Sequence, residues 1–402
     1  MDFRIKLIPI LIIILLFGLF PPAGLAQTEI EITPEDPVYS FGESITIKAF
    51  LHSTEEVDQV VLYLQPGDQN DLRVFPVTLD SAGNLSIAID PVANSIPAFD
   101  NIDYWYQVNS TSGDTFQSPV YSFTYLDNRY PWKTLSGKPF TIHWYAGDLS
   151  FGEEVLNVTL AGADNIQDLL EVFFPESLDM YVYENTQAAI PNADQYWIAG
   201  HADPIQGVIL VTLPPGPDQR LEMERQIPHE LMHVALSYTD SHAYANYPVW
   251  FNEGLASLVE LYPNPDYTVL IENAVEDGEL LSISSMCEFF PSDSQLALLA
   301  YAESASFTRF LYDQFGKTGF NRMMAAYASG MNCEQGVEEA LGSSLENLEE
   351  SWQSTSFTSV TLGIALRELL PWLLLLLFIL TGPLIMVVLI LRKRPARKDY
   401  DG

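Results

Sequence analysis

The segment PWLLLLLFILTGPLIMVVLIL, Pro371 to Leu391, runs for 21 residues without a charge. A bilayer core about 30 Å thick offers no water to backbone N–H and C=O groups, so such a run must satisfy them within itself, as a helix. It predicts one transmembrane helix over residues 371–391. RKRPARK follows, placing five of the eighteen Lys and Arg (Arg392, Lys393, Arg394, Arg397 and Lys398) directly behind the run. Positive charge collects on the cytoplasmic side, which predicts a cytoplasmic tail over residues 392–402.

The opposite end carries Arg4 and Lys6, then the apolar run LIPILIIILLFGLF, then PPAGLAQ. This order predicts a secretory signal peptide over residues 1–26, cut after Ala26. An uncleaved anchor is the alternative, but the run of about 14 residues is short for a bilayer. Both ends predict one topology: a single-pass protein of the cell membrane whose ectodomain is extracytoplasmic. Only ten basic residues lie between Gln27 and Leu366, against nearly all of the 53 acids. A field of that sign excludes nucleic acid as a partner. Cys287 and Cys333 are the only cysteines. In an oxidising compartment they are expected to pair, with free buried thiols as the alternative.

From Thr28 to about Tyr125 the chain shows seven β-rich runs: TEIEI, SITIKAF, QVVLYLQ, RVFPVTL, LSIAI, IDYWYQVN and PVYSFTY. Turn residues such as FGE, PGDQND, DSAGN and TSGD separate them. This predicts a β-sandwich domain over residues 27–126, of immunoglobulin or fibronectin type III kind. Beyond it, FTIHWY, LDMYVYE and GVILVTLPP read as strands and FGEEVLNVTLAGADNIQDLLEVF as an amphipathic helix. After Pro214 helices dominate to about Phe357. The fold class is therefore α+β, with a small β-rich lobe and a helical lobe over residues 138–357. GVILVTLPP reads either as an edge strand able to pair with an extended peptide or as a fully paired interior strand.

QIPHELMHVALSYTD, Gln226 to Asp240, carries two of the six histidines. His229 and His233 are four apart, so on a helix their side chains share one face, separated by about 6 Å of rise. Two imidazoles there can converge on one metal ion. Glu230 then projects beside the metal, where it can take a proton from water: the H-E-x-x-H pattern of zinc peptidases. A catalytic zinc wants three protein ligands and an open position. Twenty residues after His233 stands Glu253, in PVWFNEGLASLVELY, an apolar setting odd for a surface acid. Pro228, which lacks a backbone donor, predicts that the metal helix starts or kinks there.

HELMH followed by WFNEGLAS resembles the gluzincin metallopeptidases, in particular the peptidase MA-like family, and WFNEG is similar to the zinc aminopeptidases. The resemblance covers about Lys138 to Phe357 and implies a zincin-like catalytic domain. It further implies Zn2+ held by His229, His233 and Glu253, with Glu230 as general base and a peptide or protein as substrate. Tyr301, in LALLAYAESASF, resembles the position of a tyrosine that recurs in the family as donor to the oxyanion. Tyr238 and His242 are nearer in sequence and stay open for that role. The Gly-Ala-Met-Glu-Asn signature of the aminopeptidases is absent, which leaves both endopeptidase and exopeptidase. His52, His143, His201 and His242 read as structural or surface residues. A catalytically silent surface receptor or adhesin is the competing reading; the four intact positions favour a zinc metallopeptidase.

Overall fold

The computed structural model describes residues 30–67, 72–185, 200–203 and 207–392. The predicted leader, and the tail beyond Arg392, lie outside the described residues. The chain divides into two compact units, Met1–Pro131 and Trp132–Gly402.

In the first unit, β1 (Ile30–Pro34), β2 (Val38–Ser40), β3 (Ser44–Ser53), β6 (Thr78–Leu79) and β7 (Asn84–Ile89) form one five-stranded sheet. The second sheet holds β4 (Val57–Pro66), β5 (Arg73–Pro76), β8 (Asp100–Ser110), β9 (Thr115–Gln117) and β10 (Tyr121–Tyr125). All pairings in both are antiparallel. Burial alternates along β8, where Ile102, Tyr104, Tyr106 and Val108 point inward. One buried face per sheet makes the unit sandwich-like.

RVFPVTL, expected as one strand, is two. β5 pairs with β4, while β6 pairs with β7 in the other sheet. The change of sheet falls at Pro76, which has no N–H for a ladder. Val77 still donates to Val60 (3.0 Å) before the chain crosses. β2 and β9 were not anticipated, because three residues are too few to show an alternation.

The second unit opens with a five-stranded mixed sheet. β11 (Lys133–Gly137), β12 (Phe140–Trp144), β13 (Leu178–Tyr183), β15 (Val208–Thr212) and β14 (Gly200–Asp203) lie side by side in that order. β12, β13 and β15 are parallel, with antiparallel strands at both edges. Of its two readings, GVILVTLPP is therefore the interior strand, and the free-edge reading is overturned. β14 covers it, a strand too short to be legible in the sequence. Helix α1 (Leu149–Leu169) connects β12 to β13 and is capped by Asp148, which accepts the Phe151 N–H (3.2 Å). Its buried face, Val155, Val158, Ala163 and Ile166, joins Ile142, Trp144, Met180 and Val211 of the sheet in one core.

The helical part follows: α2 (Gln219–Thr239), α3 (Ser241–Tyr244), α4 (Val249–Leu258), α5 (Pro265–Asp277) and α6 (Ser294–Ala328). It ends with α7 (Cys333–Leu341), α8 (Leu345–Ser356) and α9 (Thr358–Arg392). α6 is broken at Gly316, whose φ of 57° lies outside the helical region. α9 contains the apolar run: an 18-residue window within Leu369–Arg392 has a mean hydropathy of 3.0, and the segment is long and apolar enough to cross a membrane. The helix begins thirteen residues before the expected span.

Candidate metal centre

His229, Glu230 and His233 sit in the second half of α2. Of the start or kink expected at Pro228, the start is overturned: the helix begins nine residues earlier, at Gln219, with Pro228 inside it. A proline inside a helix leaves the carbonyl four residues back without its partner. Here that carbonyl belongs to Glu224, and it accepts the backbone N–H groups of Leu261 (2.9 Å) and Tyr262 (3.3 Å). The vacancy in α2 is thus filled by the chain leaving α4.

α4, which carries Glu253, is held at both ends. Its first N–H, on Val249, donates to the Cys287 carbonyl (2.9 Å). At the other end, the Leu258 carbonyl accepts from Arg309 (2.9 Å) and the Val259 carbonyl from Asn165 (2.8 Å). These bonds satisfy backbone groups that a helix end leaves unpaired. α6 approaches α4 closely at Gly254, where a Cβ would lie 2.0 Å from Thr308 Oγ1, so only glycine fits. Cys287 and Cys333 form a disulfide. Trp250, fully buried, donates its indole N–H to Cys333 Sγ (3.3 Å).

With both helices so placed, one ligand atom each from His229, His233 and Glu253 lies within 4.8 Å of the other two. Glu253 Oε2 is 3.3 Å from His229 Nε2 and 3.8 Å from His233 Nε2. Tetrahedral zinc with bonds near 2.0–2.1 Å separates neighbouring ligand atoms by roughly 3.3 Å, so two imidazoles and one carboxylate at these spacings fit that ion. His229 Nδ1 faces Glu260 Oε1 at 3.2 Å, and His233 Nδ1 faces the Tyr244 hydroxyl at 3.4 Å. Each partner engages the far ring nitrogen and leaves Nε2 turned towards the cluster. Asn252 donates to the same Tyr244 hydroxyl (3.4 Å).

The electrostatics reflect buried charge. Burial opposes a charged His229, yet Glu253 and Glu260 hold its pKa well above the usual histidine range. Burial works against ionisation of Glu253, but His233 and His229 keep its carboxyl below the usual value. Glu230, beside them, is pushed up to about 7 by burial, with His229 opposing and Glu253 reinforcing the rise. Tyr301 is reached by the same charges: burial, then Glu253, Tyr267 and Glu230, raise its hydroxyl above the usual phenol range. Its ring stands edge-on to Phe290, with centroids 4.9 Å apart.

Residues 165–358 match the model of the Peptidase MA superfamily. This part of the chain is a Peptidase MA superfamily domain. The match contains the whole cluster and points to a metallopeptidase-like function. No curated protein matches the chain. Among solved structures, the chain is similar to a carbohydrate-binding module family 56 β-1,3-glucan binding domain (13% identity, 23% of this chain and 98% of that one, TM-score 0.17). It is also similar to the sensor domain of the anti-sigma factor RsgI4 in Pseudobacteroides cellulosolvens (15% identity, 24% and 94%, TM-score 0.20). Likenesses this low carry no argument about fold or function.

Within the peptidase MA domain, Tyr238 and His242 are exposed, whereas Tyr301 feels both acids of the site. Glu260 and Tyr244 were not singled out from the sequence. The one available signal was that Glu260 follows Glu253 by seven residues, the spacing of two helical turns, although α4 itself ends at Leu258. His143 lies elsewhere, bonded to Asp179 (2.7 Å) and stacked on Tyr181. The side chain of His201 lies outside the described residues.

Proposed function

We propose that the chain is a zinc metallopeptidase of the gluzincin type, held in the cell membrane by α9 as a single-pass protein with its ectodomain extracytoplasmic. Its domain plan is that drawn from the sequence: signal peptide 1–26, immunoglobulin- or fibronectin III-like sandwich 27–126, zincin-like domain 138–357, span 371–391 and tail 392–402. The observation that carries this reading is the convergence of His229, His233 and Glu253 with Glu230 alongside.

His229, His233 and Glu253 are assigned as ligands of Zn2+. When bound, zinc supplies positive charge that acidifies water and polarises a peptide carbonyl. Glu230 stands outside the group of three ligand atoms, and acts as general base. It takes a proton from water and passes it to the leaving amine. Tyr301, kept protonated by its surroundings, donates to the oxyanion. Glu260 and Tyr244 hold the two imidazoles in the tautomer that leaves Nε2 free.

Glu230→Gln and Glu253→Gln separate these roles. Glu230→Gln is expected to keep about one zinc per chain and lose peptide hydrolysis. Glu253→Gln is expected to weaken zinc binding itself. Loss of metal from Glu230→Gln, or full zinc and activity in Glu253→Gln, would overturn the assignment.

A further inference from the structure

α5 joins the metal centre to the membrane anchor. The chain that leads into it starts at Glu260, which touches His229, and is tied to α2 by the Leu261–Glu224 bond. Five residues after Glu260, α5 begins with Pro265 at its first turn and an Asn264 cap on the Asp266 N–H. Tyr267, in that first turn, feels the charges of Glu260 and Glu253. The helix ends at Gly278, whose φ of 70° suits a C-cap. In its last turn Glu276 faces Arg367 of α9 at 3.4 Å. Nine residues of helix separate Tyr267 from Glu276, about 14 Å.

Arg367 stands two residues before Leu369, where the apolar stretch begins. The exposed Glu276–Arg367 pair contributes little energy, but it marks where α5 ends against the anchor. No flexible stalk intervenes. α8 ends at Ser356, Phe357 is buried against Trp352 (ring centroids 5.2 Å apart), and α9 starts at Thr358 and continues as helix through Pro371 into the apolar stretch. A flexible linker of n residues would let the domain roam by roughly 5–6 Å × √n; a continuous helix does not. The cluster is therefore held a few tens of ångströms from the start of the span, a distance that on the order of ten extended residues cover.

We propose that the substrates are polypeptide segments anchored in the same membrane, cleaved within about ten residues of the bilayer surface. This rests on the peptidase and anchor reading above. A substrate sharing the membrane gains effective concentration without new contacts, provided the geometry lets it reach the site. Here that geometry is set by α5 and α9.

The test uses the full chain, loaded with zinc, in vesicles of zwitterionic lipid. Randomised heptapeptides carrying a fluorogenic pair are mounted on a synthetic transmembrane helix through polyproline spacers of about 5, 10, 20 and 30 residues, which rise about 3.1 Å per residue. Cleavage is expected with the two short spacers and at least tenfold slower with the two long ones. Inserting a 20-residue Gly/Ser linker between Phe357 and Thr358 is expected to restore cleavage at the long spacers. Rates independent of spacer length in the unmodified chain would overturn the proposal. A donor fluorophore at exposed Val269 of α5, paired with acceptor lipids, reads placement without activity: transfer is expected to be high and to fall on linker insertion. Low transfer in the unmodified chain overturns the placement. High transfer with no cleavage at any spacing instead overturns the peptidase reading, and the substrate class with it.

Discussion

Glu260 Oε1 lies 3.2 Å from His229 Nδ1, although 31 residues separate the two in the chain. The carboxylate is almost fully buried, so its charge is felt by the imidazole with little screening. It fixes which ring nitrogen carries the proton and raises the basicity of the other. Glu260→Gln keeps the size and removes the charge; zinc affinity is expected to fall about 10- to 100-fold. Competition with a calibrated chelator measures this, and an unchanged Kd would mean that ring packing alone orients His229.

Tyr301 and Tyr244 are expected to fail in different ways. Tyr301→Phe should lower kcat about 10- to 1000-fold with zinc content and KM nearly unchanged, because a donor used only in the transition state is lost. Tyr244→Phe removes the hydroxyl that faces His233 Nδ1, so its main effect should appear in zinc affinity. Steady-state kinetics beside metal analysis separates the two; a Tyr301→Phe enzyme with unchanged kcat would end that assignment.

The Cys287–Cys333 disulfide closes a sequence separation of 46 residues and grips the first turn of α4 through Val249 and Trp250. Loop-closure entropy on that scale is worth about 4 kcal/mol, or roughly 10 °C in the Tm of a domain this size. Cys287→Ser with Cys333→Ser should show that loss in calorimetry of the zinc-free protein. Alkylation of the unfolded, unreduced chain should add no label, and two after reduction.

Glu303 is fully buried on α6 and accepts the Leu281 N–H (3.0 Å). Burial pushes its carboxyl up to about 8, and the nearby Glu349 charge adds to the rise against that hydrogen bond. The folded state therefore holds a proton that the unfolded chain releases near pH 4.3. Stability from this group is fully present below that pH, falls as pH rises and levels off above about 8. Glu303→Gln should flatten the fall and stabilise the domain by about 1–2 kcal/mol at pH 8. Parallel pH profiles of Tm for the two proteins would refute it.

Gly254 precedes no turn and has no unusual φ; it is there because α6 leaves no room for a Cβ. Gly254→Ala must displace both Thr308 and the Ser304 carbonyl, costing about 1–3 kcal/mol or more. It should also shift Glu253, one residue away, so zinc affinity and Tm should fall together. An alanine variant with wild-type Tm would show that α6 yields freely.

Features that depend on local period were legible in the residues. A four-residue spacing puts His229 and His233 on one helix face wherever that helix lies, and an uncharged run of 21 residues is helical and apolar in any context. Alternation marked the long strands of the first unit for the same reason. What the tertiary structure decided were pairings between residues far apart in the chain, which no window of sequence contains. β14 closes over β15, which decided between its edge and interior readings in favour of interior. RVFPVTL divides between two sheets because each half finds a different neighbour. Pro228 could stand inside α2 because Leu261 and Tyr262 supply the Glu224 carbonyl with the donors that the proline withholds. Glu260 and Tyr244 reached the histidines only once α3 and α4 had packed against α2. A helix fixes the direction of its own side chains; which buried partner meets them depends on how the helices are brought together.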